Sequence, residues 1–333
     1  MSVRFVAKAT RIGLILFATV SAWAGGSNYG ITPGALSSIE GRISERVVPT
    51  PLFARDPAPG PAGNIYIAVK HGNKIARFDP GTETFTEWDL PPGTRPHGLL
   101  VDGDGQVWYA GNGNGTIGRL DPAWGEVIEY RIPSGGDPHT LVIDDEGTIW
   151  FTMPHANRVG RLDTRSGIFT EYHSSGRPFG IALDQAGNVW FCQVSASRLG
   201  KLDPRTGTIT ELVLQPDSHP RRIAASPDGS LWVTLFGRGS LLHVDPVREK
   251  VIKEYRLPTG PAGGAFAVTV DGAGGVWANE FYTNTILRLD PKTEELRVFT
   301  LPSKGLGIRK MVVDAEGRLW YMGSHNGRLG FIE

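Results

Sequence analysis

One short phrase recurs seven times along this chain: Gly-x-(Val, Ile or Leu)-Trp, with Tyr66 in the first copy where the later ones carry Trp. The anchors Tyr66, Trp108, Trp150, Trp190, Trp232, Trp277 and Trp320 stand 42, 42, 40, 42, 45 and 43 residues apart. A repeat of about forty residues, rich in β-branched, aromatic and turn-forming types, is one blade of a β-propeller, because such a unit buries its apolar faces only against its neighbours. The expected fold class is all-β: a seven-bladed β-propeller with four antiparallel strands per blade.

The second repeat shows how a blade is written. Gly98–Asp102, Gln106–Ala110, Thr116–Asp121 and Glu126–Ile132 are strand-like runs divided by Gly, Asp, Asn and Pro. Links this short require antiparallel neighbours. The last repeat stops after its third run, Arg328–Ile332, whereas Ile43–Pro49 matches the fourth run Val127–Pro133 in pattern. Residues 43–48 are therefore expected to complete the C-terminal blade and close the ring, which removes an open sheet edge. This register also discounts many carboxylates. Asp102, Asp144, Asp184, Asp271 and Asp314 open the turn between first and second strands, and Asp79, Asp121, Asp203, Asp245 and Asp290 precede Pro after the third. Glu87, Glu129, Glu171, Glu211 and Glu254 recur in fourth strands and Arg77, Arg119, Arg161, Lys201 and Arg288 in third strands, so cross-strand pairing between the two families is expected.

Lys plus Arg and Asp plus Glu each number 34, with no basic block, which argues against nucleic acid or an anionic membrane surface as partner. The first residues differ from the rest. Arg4, Lys8 and Arg11 precede the apolar run Ile12–Val20 and the small-residue site Ala22-Trp23-Ala24. Residues 1–24 read as a signal peptide, since the run is too short to span a bilayer comfortably. Residues 25–42 read as a flexible lead-in, and 43–333 as a single propeller domain. The mature chain is expected to be exported, periplasmic or secreted, and monomeric. Its one cysteine, Cys192, excludes an internal disulfide and occupies a small packing position.

Strand direction places the entry to each first strand and the link from second to third strand on one face of the ring. Eleven residues before each anchor stand Arg55, His97, His139, Phe179, Arg221, Phe266 and Arg309; two residues earlier stand Phe53, Arg95, Asp137, Arg177, His219, Gly264 and Gly307. Five residues after the anchors come His71, His155 and His325 among others, so six of the eight histidines map to this face. A small-molecule site at the mouth of the central channel is the reading that accounts for this sorting. Its sharpest cluster is His97, Asp137, His139 and His155. A His beside a carboxylate serves as general base, and His with Asp also suits a divalent ion. Glu280, three residues after its anchor, is the lone acid in its ring and a candidate acid, base or ligand; the equivalent residue in the third repeat is Met153.

The phrases Arg95-Pro96-His97-Gly98-Leu99, Asp137-Pro138-His139, Asn188-Val189-Trp190-Phe191 and Thr116–Asp121 resemble the streptogramin B lyase (virginiamycin B lyase) family, over nearly all of residues 43–333. The resemblance implies a seven-bladed propeller that linearises a cyclic depsipeptide by elimination across its ester C–O bond, assisted by Mg2+. It matches His97 and His139 to the family's two histidines and Asp137 to its acid. Met153 stands at the family's Glu position and cannot ligate a hard cation.

The implied function is a carbon–oxygen lyase-like exported propeller that opens a cyclic ester or lactone. In it His139 removes the proton α to the ester carbonyl, while His97 and Asp137 hold the metal or orient His139. Arg55, His155, Arg221, Glu280 and Arg309 would contact substrate. The alternative is a non-catalytic periplasmic binding propeller in which Arg55, Arg221 and Arg309 hold an anionic small molecule. A related six-bladed metal hydrolase of the gluconolactonase type is disfavoured by the seven anchors.

Overall fold

The computed structural model describes residue 33, residues 35–38 and residues 42–333; the stretch read as a signal peptide lies outside them. The strands form seven sheets. Blade 1 is Ala54–Pro59, Ile65–Val69, Lys74–Asp79 and Thr84–Asp89. Blade 2 is Pro96–Val101, Val107–Gly111, Thr116–Asp121 and Glu126–Arg131, and blades 3 to 6 repeat the plan around Trp150, Trp190, Trp232 and Trp277. Blade 7 is Ile308–Val313, Leu319–Gly323 and Arg328–Ile332, with Ile43–Val47 as its outer strand. Ile43 pairs with Ile332 and Val47 with Arg328, antiparallel, so the N-terminal strand closes the ring as expected. Within the stretch read as a flexible lead-in, Ala35–Ser38 is instead a fifth strand, parallel to Glu295–Thr300 on the outer edge of blade 6.

The repeated phrase has a physical cause. The indole N–H of each Trp but one donates to the Asp six residues before it: Trp108 to Asp102 at 2.8 Å, Trp150 to Asp144 at 2.9 Å, Trp190 to Asp184 at 2.9 Å, Trp277 to Asp271 at 3.0 Å and Trp320 to Asp314 at 2.7 Å. The same carboxylates accept backbone N–H groups of the turn, as Asp144 does from Glu146 and Thr148. One side chain thus sets the turn and anchors the ring that the next blade covers. Trp150 packs with Ile181, Val189 and Phe191 of blade 4, and Trp232 with Val268, Ala278 and Leu287 of blade 6.

The third-strand cations stack on these indoles rather than pairing with the fourth-strand glutamates. Arg119 lies opposite Trp108 with its guanidinium 5.8 Å from the ring centre, and Arg161, Lys201 and Arg288 repeat the contact. Glu129 sits opposite Gly118 and accepts from Thr94, Tyr109 and Asn114. The glycine in the middle of these third strands is steric: a Cβ on Gly118, Gly160, Gly200 or Gly330 would lie within 2.0–2.2 Å of Tyr109, Phe151, Phe191 or Tyr321. Where the residue after the anchor is aliphatic, as in Ile67 or Val233, the opposing residue is Ala76 or Leu242.

The innermost strands carry a shared irregularity. In blade 2, Pro96 pairs with Gly111 and Leu99 with Tyr109, so His97 and Gly98 together oppose Ala110 alone. The same slip occurs between Ala54 and Pro57, Pro178 and Ile181, Pro220 and Ile223, Ala265 and Val268, and Ile308 and Met311. Such a bulge turns two consecutive side chains toward one side, which regular alternation forbids. Two stacked rings of residues therefore face the channel: the one headed by Arg55, His97 and His139, and a second made of Asp56, Gly98, Thr140, Gly180, Arg222, Ala267 and Lys310.

The second ring plugs the channel. Arg222 donates to Thr140 Oγ1 (2.8 Å), Asp56 Oδ2 (3.3 Å) and the Arg309 carbonyl (3.1 Å), and Lys310 donates to the Leu99 carbonyl (3.1 Å). Below the plug a cavity of about 360 Å³ opens on the face opposite the histidines. Among the described residues no helix is long and apolar enough to cross a membrane.

Candidate functional site

Above the plug lies a cavity of about 380 Å³, lined by Arg55, Lys70, His97, Asn112, Asp137, His139, His155, Arg177, Phe179, Arg221, Phe236, Phe266, Phe281, Tyr282 and Arg309 with Pro154. The structure thus brings His97, Asp137, His139, His155, Arg55, Arg221 and Arg309 to one cavity, whereas His71, His219, His325 and Glu280 do not line it. That carboxylate is 2% exposed and accepts the Thr259 N–H (2.7 Å) and hydroxyl (2.8 Å). It ties down the link between blades 5 and 6 and has no free oxygen edge for substrate. Met153, at the same repeat position, is fully buried beneath Gly136.

Two sets of lining residues were not singled out in the sequence. Lys70, Asn112, Pro154, Phe236 and Phe281 stand four residues after their anchors, one beyond the last strand residue. The residues three after the anchors are buried between blades, so the first turn residue, not the last strand residue, looks into the channel mouth. The plug residues were missed because strict two-residue alternation hides the position next to the histidines.

His97 and His139 touch across the blade boundary, with ring centres 3.6 Å apart. His97 Nδ1 donates to the His139 carbonyl (3.1 Å), which leaves the lone pair on Nε2. Gly98 permits this approach: a Cβ there would stand 2.5 Å from the same carbonyl oxygen. Thr140 Oγ1 accepts from Arg222 and also stands 2.8 Å from His139 Nδ1, so the hydroxyl links the plug to the second imidazole. Burial, followed by the charge of Arg55, holds His97 well below the ordinary histidine range; burial, followed by Arg222, does the same for His139. Both rings are therefore neutral near pH 7, and His97 presents an acceptor, its Nε2 lone pair.

Asp137 does not orient His139. It accepts the backbone N–H of His155 (3.0 Å) and pairs with His155 Nδ1, whose Nε2 in turn accepts from Arg177 (3.2 Å). Lys70 donates to Asn112 Oδ1 (2.7 Å), and Asn112 to the Pro138 carbonyl (3.1 Å), which fixes the His139 segment against blades 1 and 2. The Arg221 guanidinium lies 4.8–5.4 Å from the ring centres of Phe179, Phe236 and Phe266. Arg309 lies over Phe53 and Phe281 and contacts His325. His71 stacks on Phe53, and His219 is exposed on the same face.

A divalent ion does not fit this donor set. Among the described residues no three His, Cys, Asp or Glu side chains converge to hold one. Asp137 is engaged by His155, the family's Glu position is the buried thioether Met153, and five cationic side chains face the same space. Mg2+ prefers several oxygen ligands and carboxylate charge, and here the charge has the wrong sign. Cys192 is buried and its thiol is pushed up by that burial, so it is inert packing.

In architecture the chain is similar to solved propellers. A structure described as a streptogramin B lyase superposes with a TM-score of 0.80 at 23% identity, covering 87% of this chain and 97% of the other. Virginiamycin B lyase from Staphylococcus aureus superposes with a TM-score of 0.80 at 23% identity (88% and 99% covered), and a catalytically inactive form of it with quinupristin scores 0.79 at 24% identity (88% and 99%). No curated protein matches significantly in sequence. The model of the virginiamycin B lyase family matches residues 36–176 and again 137–333. With that match over nearly the whole propeller, the chain belongs to the virginiamycin B lyase family.

Proposed function

We propose that this propeller is a carbon–oxygen lyase that opens a cyclic ester or lactone at the channel mouth, using His97 and His139 and no protein-held divalent ion. The observation that carries this reading is the touching pair of neutral imidazoles on one cavity, with the Nε2 lone pair of His97 left free. In this reading the two histidines exchange the roles expected from the sequence, with Thr140 donating to His139 Nδ1. His97 Nε2 bears the lone pair and accepts the proton from the carbon next to a carbonyl. The electron pair left behind forms the C=C bond as the neighbouring C–O bond breaks, and the leaving oxygen departs as a carboxylate. His139 Nε2–H and the guanidinium groups lie where negative charge develops. In this reading the signal peptide sends the protein out of the cytoplasm, and the substrate enters from the histidine-bearing face.

The test is a panel of cyclic depsipeptides and lactones, with product analysed in isotopically labelled water. Elimination gives an alkene and a carboxylate without label and stops in His97→Gln; a labelled hydroxy acid would show hydrolysis and overturn the assignment. A second reading, a binding propeller without chemistry, rests on the surplus of cations in the cavity and predicts ligand binding with no alkene.

A further inference from the structure

We propose that the ligand of this site is an anion: a small molecule whose carboxylate sits on the edge of Arg221 with Arg177 beside it, and whose aromatic or flat apolar body lies against Phe179 and Phe266. That this ligand is a substrate rests on the lyase reading; its chemical class does not.

The charge balance leads here. The cavity is lined by Arg55, Lys70, Arg177, Arg221 and Arg309 against one carboxylate, Asp137, which already serves His155. Asp56, the acid of the plug, is fully buried, bonded to Arg222 and 3.8 Å from Arg55. Arg221 has no carboxylate partner among the described residues, and its Nε is buried without a hydrogen bond, as is Nε of Arg55. Isolated cations in a partly dry cavity are costly unless an anion joins them.

Arg221 is also shaped for the task. Phe179, Phe236 and Phe266 crowd its guanidinium and hold it in place. Held so, a guanidinium offers its N–H edge, the geometry that binds a carboxylate by two parallel hydrogen bonds. Arg177 lines the same cavity and is the charge that acts most strongly on Arg221, so it offers a second donor to the same anion. Burial holds Arg55 down to about 9 and Lys70 to about 8, so these groups are poised to gain from a negative neighbour.

The experiment is calorimetric titration of the propeller with 3-phenylpropionate, phenylacetate and benzoate, each paired with its neutral primary amide. The expected result is at least a tenfold preference for one acid over its amide, weakened by added salt and lost in Arg221→Gln. Arg177→Gln, on an exposed side chain, serves as the second variant and should cut the preference severalfold with an unchanged melting temperature. Equal affinity for acid and amide, no binding of any acid at millimolar concentration, or a preference that survives both substitutions overturns the proposal. Its failure is distinguishable from failure of the lyase reading. Neutral cyclic esters opened to alkenes by a protein that ignores carboxylates would leave only the lyase reading standing; carboxylates bound tightly with no elimination in any ester would leave only the anion site.

Discussion

The two buried imidazoles make acid sensitivity calculable. His97 and His139 are 2% and 7% exposed, and burial reinforced by nearby guanidinium charge keeps both well below their ordinary value. In the unfolded chain each returns to about 6.5. The unfolded state then takes up protons that the folded state refuses, so the stabilisation is complete above the unfolded value and is lost as pH falls through it. From about pH 7.5 to about 5.5 each histidine lowers stability by roughly 1.4 kcal/mol, and the pair by roughly 2.7 kcal/mol. The perturbation that isolates this is the double variant His97→Asn/His139→Asn, which has no proton to gain at either position. Urea unfolding followed by tryptophan fluorescence, at both pH values and for both proteins, gives four free energies. The remaining histidines and the carboxylates cancel in the comparison. The wild type should lose about 2.7 kcal/mol more than the double variant over the interval. Equal losses would mean that the two rings charge freely inside the folded protein, and the neutral pair would have to be abandoned.

Gly98→Ala would drive a methyl group into the His139 carbonyl and should cost about 1–3 kcal/mol while abolishing turnover, read by unfolding and by the alkene assay. Glu280→Gln should lower stability by about 1–3 kcal/mol through its two bonds to Thr259 and leave ligand affinity unchanged, which calorimetry checks. The melting temperature should not move with millimolar Mg2+ or Mn2+; a rise that disappears in Asp137→Asn would refute the mismatch between this donor set and a divalent ion. Trp150→Ala should cost about 3–5 kcal/mol, because the indole fills the seam between blades 3 and 4.

The fold was legible because the repeat writes the same physics seven times. Each Asp, Gly and Trp is tied to its neighbours by turn geometry and a buried indole, and the spacing between anchors is the length of one blade. The ring of residues eleven before the anchors was legible for the same reason, and it brought His97, His139, Arg221 and Arg309 to one cavity. What alternation could not reveal was the bulge. It turns Arg222, Asp56 and Lys310 toward the channel beside the visible ring, and through Thr140 it ties Arg222 to His139 Nδ1. Partner choice was equally hidden. Asp137 stands two residues from His139 yet serves His155, and Glu280, the lone acid of its ring, serves Thr259, because local loop geometry outcompetes sequence proximity.

The pairing of Ile43–Val47 with Arg328–Ile332 makes the two ends of the polypeptide one structural unit. Ile43–Val47 must wait for Arg328–Ile332 before it finds its partner, so assembly of this blade is the most non-local pairing among the described strands and a late one. Until that clasp shuts, blade 7 presents a raw hydrogen-bonding rim, the vulnerable moment at which one molecule can borrow a strand from another.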